Sequence, residues 1–171
     1  QAINPDVVAW IYLEGTNINY PVVRGTDNSY YLTHLFDGRS NGAGSIFMDY
    51  RNQGDLTDRH TVFYGHHMNN GSMFADLCKY EDEEFYKEHK YIQFDTLLDY
   101  GRYEIVAVFK TVAYSDAGFK YFQFVNAEDE ADFNSKKLIE LEKTYKPARI
   151  IIEYNGMWSA KSIKLPWHWK I

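Results

Sequence analysis

Histidine and cysteine are the side chains in this sequence with chemistry to offer beyond packing, and their spacing narrows that chemistry. The six histidines are His34, His60, His66, His67, His89 and His168, and none stands in HxxxH or HxH spacing. His66 and His67 are adjacent, so on a strand their imidazoles face opposite ways. A two-histidine metal site on one element is therefore disfavoured. Asp49, Asp55 and Asp58 could gather around calcium, but no EF-hand pattern is present, and solvated loop carboxylates are the simpler reading. Gly38, Gly42 and Gly44 match neither the P-loop nor the dinucleotide fingerprint and read as a flexible loop. No metal or cofactor is expected. Cys78 is the sole cysteine, which excludes an internal disulfide and a CxxC pair. It falls on a predicted helix. Lys79 beside it would favour the thiolate, while Asp76, Glu81 and Asp82 oppose it. The expectation is an unactivated thiol, alkylated no faster than a free model thiol and indifferent to His66→Ala. His66 is better placed. It closes the apolar run Thr61-Val62-Phe63-Tyr64-Gly65 ahead of a turn rich in Asn and Gly. A strand end at a barrel rim is where general acid–base groups sit, although a hydrogen-bonded structural histidine would occupy the same position.

The elements that must carry these residues are mostly strands. The pattern predicts a helical turn running into a strand over 4–14 and a strand over 18–23. Pro21 places that second strand at a sheet edge. A short helix is predicted over 27–36 with Asp27 as N-cap, then strands at 45–49 and 61–66. Ser72 should cap a helix carrying Met73, Phe74, Leu77 and Tyr80, followed by an acidic helical turn at 81–88. Strands are predicted at 91–95, 102–113 and 119–125, a helix over 128–145, and a last strand over 149–154. Short, turn-separated strands with few helices point to a closed or nearly closed β-barrel.

Composition agrees. At 171 residues the chain is one domain's worth. Apolar residues make up 45% and charged residues 25%, which argues against disorder. The 15 tyrosines and 11 phenylalanines favour half-buried strands. Eighteen basic against 24 acidic residues leave a net charge of −6, so nothing suggests a nucleic-acid partner. No apolar run approaches the roughly 18 residues of a membrane span, and no signal peptide opens the chain. Residues 157–171 differ from the rest: they hold three of the four tryptophans and no acidic residue.

Several blocks in order then resemble the sortases, class B in particular. They are Asn4-Pro5-Asp6-Val7-Val8-Ala9-Trp10-Ile11, Thr16 to Val23, Gly44 to Asn52, and above all Val62-Phe63-Tyr64-Gly65-His66-His67-Met68 with Gly71-Ser72-Met73-Phe74. The last block is similar to the family's catalytic-histidine segment, which gives that role to His66. The family often has Asn where His67 stands. The resemblance implies a mostly β, sortase-type antiparallel β-barrel with peripheral helices, including a class B-like helix near 128–145. It implies a single domain over 1–171, with 157–171 as an atypical tail. It also implies a cysteine transpeptidase that cleaves the sorting signal of surface proteins and transfers the acyl group to a peptidoglycan or pilin amine. Such a domain works at the extracellular face of the cell membrane, held by an N-terminal anchor outside this chain. Two family features are not matched. The Thr-Leu-x-Thr-Cys motif finds only Leu165, with His168 at the cysteine position, and the arginine strand has no counterpart. Seven or fewer barrel strands are therefore expected. The chain as it stands is expected to be inactive. Two alternatives accompany that reading: a non-catalytic peptide-binding module retaining the sortase fold, and a hydrolase pairing Cys78 with His66.

Overall fold

The computed structural model describes residues 4–105 except 57 and 59, together with residue 108 and the backbone of 149–155. Seven strands are described: β1 (Val7–Tyr12), β2 (Asn19–Val23), β3 (Ile46–Met48), β4 (His60–His66), β5 (Tyr91–Thr96), β6 (Tyr100–Glu104) and β7 (Arg149–Asn155). They form one sheet in the order β6-β5-β1-β2-β3-β4-β7. Four of its six pairings are antiparallel, and β2–β3 and β4–β7 are parallel. The architecture is mostly β, as the sequence implied. The expected strand at 119–125 and helix over 128–145 lie outside the described residues, as does the tail from 156.

Alternation explains which face turns inward. Ala9 and Ile11 of β1, Val22 of β2, Phe63 of β4, and Ile92 and Phe94 of β5 are buried, joined by Ile46 and Met48 of β3 in one core cluster. Phe63 stacks on Phe94 with ring centroids 4.7 Å apart. The other face of β2–β4 is covered as well: Val23, Phe47 and Tyr31 form a second buried cluster, with Leu32, Phe36 and Tyr64 against it. A strand buried on both faces shows no alternation, so β3 is uniformly apolar.

Four local expectations need correction. β2 is interior, between β1 and β3. Pro21 is tolerated there because the β2–β3 ladder takes up only Val22 and Val23, so the missing N–H breaks no bond to β3. Residues 27–36 form only a 3-10 turn at Tyr30–Leu32. Asp27 does receive the N–H groups of Ser29 and Tyr30, at 2.7 and 2.8 Å. The chain then leaves the helical path, because Asn41 N–H donates to the Thr33 carbonyl and Leu35 N–H to that of Arg39. Ser72 does not cap. Asn70 accepts from the Ser72 N–H and hydroxyl, and a 3-10 helix follows at Ala75–Glu81. Finally, β6 begins at Tyr100 rather than 102. The acidic turn does form, as α1 (Glu83–Glu88), capped by the Asp82 carboxylate on the Glu84 N–H.

Candidate active site

His66 is the last residue of β4, on the strand face it shares with Tyr64 and Val62. Its Nε2 lies 2.8 Å from the carbonyl oxygen of Leu32. A carbonyl can only accept, so Nε2 carries a proton and Nδ1 is the nitrogen left to take up or release one. The acceptor is held from below. Gly44 has φ +60° and lies so close to the 3-10 turn that a Cβ there would fall on the Tyr31 and Leu32 carbonyls. Ser45 N–H donates to the Tyr31 carbonyl at 2.9 Å. The Tyr31 hydroxyl donates to Asp6 at 2.7 Å and accepts from Asn4 at 2.8 Å. Burial, then the Asp6 hydrogen bond, pushes that phenol up to about 12.

The backbone around His66 is equally constrained. A Cβ on Gly65 would meet Ile46 and Phe74, so only glycine lets β4 lie against them. The Phe74 N–H donates to the His66 carbonyl at 2.9 Å. Met73 sits at φ +58° with its N–H on the Tyr20 hydroxyl, 3.0 Å away. Below His66, the Tyr64 hydroxyl donates to Asp49 at 2.7 Å. Asp49 is fully buried and also accepts from Asn28 Nδ2 and from the N, Nε and Nη2 groups of Arg51. On its other side β4 pairs with β7 in parallel, His66 opposite Asn155. The chain thus leaves β7 level with His66.

The remaining candidates are dispersed. His67 belongs to a bridge with Met73 beyond the strand, and its Nε2 lies 3.9 Å from Cys78 Sγ. The imidazole in contact with Cys78 is thus that of His67, which the sequence did not identify. Two of the acidic neighbours expected to quiet the thiol are committed elsewhere. Asp76 accepts from the Asn17 N–H and pairs with Lys79, and Asp82 caps α1. His34 stacks on Tyr30, and a Cβ on Gly15 would meet the His89 ring. Of the three carboxylates weighed for calcium, Asp49 binds Arg51, and Asp58 accepts from Asn52 and Gln53. Gly44 is a fixed left-handed residue rather than part of a free loop. Sequence reading missed Leu32, because a backbone acceptor has no side-chain signature. The Gly42-Ala43-Gly44-Ser45 run was its one visible trace.

No family model matches the chain. It is 39% identical over 136 residues to sortase B of Listeria monocytogenes, covering 80% of this chain and 54% of that protein. It is 43% identical over 105 residues to sortase B of Staphylococcus aureus, covering 61% of this chain and 42% of that protein. The chain therefore spans about half the length of these curated relatives. Among solved structures, sortase B from Listeria monocytogenes superposes with a TM-score of 0.72 at 31% identity, covering 91% of both chains. A sortase B–substrate complex from Staphylococcus aureus superposes with a TM-score of 0.75 at 28% identity, covering 94% of this chain and 77% of that one.

Proposed function

Because the chain belongs to the sortase B family, we propose that it is the peptide-recognising domain of a sortase-type transpeptidase in which His66 is the general acid–base residue. The observation that carries this reading is the parallel β4–β7 ladder, which ends β7 opposite His66. Two strand ends at one rim give a peptide carbonyl somewhere to sit between an imidazole and whatever follows β7. The Leu32 carbonyl holds Nε2–H, leaving Nδ1 to protonate the departing amine. The sorting-signal peptide of a surface protein is the proposed substrate, and an amine of peptidoglycan or a pilin the proposed acceptor. The proposed setting is the extracellular face of the cell membrane.

A thioacyl intermediate needs a thiol beside His66. The only cysteine in the 171 residues is Cys78, and it lies on the 3-10 helix against His67. We therefore assign this chain peptide binding without turnover, which is also the non-catalytic reading of the same groove. The third reading, a Cys78–His66 hydrolase, loses its support, since the Cys78 thiol is seated against a different imidazole. A fluorogenic sorting-signal peptide tests the assignment. Saturable binding with no cleavage, weakened in His66→Ala, is the expected result. Cleavage abolished by His66→Ala would make the chain an active enzyme. Cleavage abolished by Cys78→Ala would restore the hydrolase. Absence of binding would refute the whole reading.

A further inference from the structure

A second concave site lies on the strands farthest from β7. In the sheet register Tyr12 of β1 faces Gln93 of β5, which faces Arg102 of β6. These three form one outward row, and Tyr91 stands two residues before Gln93 on the same face. The segment leaving α1 lies beside the row and borders an open pocket of about 260 Å³. That is close to the lower bound for small-ligand sites and admits little more than one ring of a polar ligand.

The lining is specific in three ways. Tyr12 and Tyr91 are 39% and 43% exposed, large rings left in contact with water. The Arg102 guanidinium lies 3.8 Å from the Tyr91 ring centroid, a stacking that fixes its plane and leaves its N–H edge open. The Gln93 amide nitrogen donates to Asp95 at 2.6 Å, leaving its carbonyl as an acceptor. The walls add Glu14, Glu88 and Lys90. Lys87 is already held by Glu83 and Glu84, whereas no ion pair is formed by Arg102, Lys90, Glu14 or Glu88 among the described residues. Lys90, Arg102 and the paired Lys87, with the His89 imidazole and the carboxylates of Glu14 and Glu88, thus surround two tyrosine rings with charges of both signs.

That mixture of charges selects the ligand class. A phosphate or carboxylate would meet Glu14 and Glu88 along with Arg102. An apolar ligand would desolvate these charged groups and return no hydrogen bonds. A polyol ring fits both demands, because its C–H face lies on tyrosine and each hydroxyl can donate to a carboxylate or amide oxygen while accepting from guanidinium or ammonium. We propose that this pocket binds one ring of a neutral oligosaccharide, at a site separate from His66.

The test is an amide NMR titration of the 171-residue chain with maltotriose, cellotriose and chitotriose, with inorganic phosphate as the charged control. At least one sugar should give saturable shifts at Tyr12, Tyr91, Gln93 and Arg102, while the His66 ring signals stay put. Tyr91→Ala and Gln93→Ala should each weaken that binding about tenfold, roughly the loss of one good contact. Both side chains are exposed, and the dispersion of each variant's own spectrum reports that it is folded. Absence of saturable shifts with all three sugars would overturn the proposal. So would stronger shifts with phosphate, or unchanged affinity in both variants.

Discussion

Replacing Asp49 by Asn should destabilise the protein by an amount that depends on pH, in a direction the structure fixes. The carboxylate is fully buried, and burial alone would raise its pKa. The Arg51 side chain and N–H, then Tyr64 and Asn28, outweigh burial and bring it down from 3.8 to about 2. Because the folded value is the lower one, the unfolded chain takes up the proton first as pH falls. The resulting stabilisation is therefore complete above about pH 5, erodes as pH drops below about 4, and is lost as pH falls through about 2. At about 1.4 kcal/mol for each tenfold change in proton affinity, the gap corresponds to about 2 kcal/mol. Arg51 is 38% exposed, so in the variant its guanidinium can still reach water. The total cost at pH 7 should then stay near 2–3 kcal/mol, below the roughly 3–5 kcal/mol of breaking a fully buried pair. Urea unfolding of both proteins, followed by far-UV circular dichroism at fixed ionic strength from pH 7 down to about 2.5, reads this directly. The difference between them should shrink by most of 2 kcal/mol across that range. A difference that stays constant with pH would show that the carboxylate charge is not what Arg51 and Tyr64 hold.

Gly44→Ala should cost about 1–3 kcal/mol, since it places a Cβ at φ +60° against the Leu32 carbonyl. It should also shift the His66 ring resonances, which a purely local strain would leave in place. Iodoacetamide labelling of Cys78, followed by mass spectrometry, should slow in His67→Ala and remain unchanged in His66→Ala, because the neighbouring imidazole is that of His67. Equal rates in all three proteins would return the thiol to the unactivated state expected from its acidic neighbours. Phe63→Ala removes a fully buried ring stacked on Phe94 and should cost about 3–5 kcal/mol in chemical unfolding. A loss under about 1 kcal/mol would mean that the core collapses around the gap.

Strand positions were legible wherever an apolar run met a turn signal, and β1, β3, β4, β5 and β7 fall within a few residues of their expected places. His66 could be singled out because glycine precedes it and a turn follows. What failed was mostly local and helical. Asp27 and Ser72 both look like N-caps, but a cap starts a helix only when the chain beyond it has nowhere better to bond. After Asp27 the backbone bonds back to the 39–41 loop instead, and those long-range partners leave no local mark. Edge placement failed for a related reason: proline forbids a ladder position and not a whole strand. The Cys78–His67 contact was hidden because residues 67 and 78 meet only through the fold of the 66–74 turn. Nearby charges in sequence were a poor guide to nearby charges in space.

The β4–β7 ladder carries a consequence for how the molecule comes together. Strand β4 from His60 pairs with a strand that begins at Arg149, while every other pairing among the described residues joins segments from the first 104. Contacts between segments distant in sequence form slowly, because the chain between them must give up its freedom before they return any energy. Among the described strands, β1–β6 can therefore assemble first, with the β7 side of β4 paired later. Such an edge invites pairing with another chain, so the interval before β7 docks is when two molecules are most prone to join wrongly. The rim that holds His66 is then the last part of the described sheet to be finished, and folding at high protein concentration should lose that rim before it loses the core.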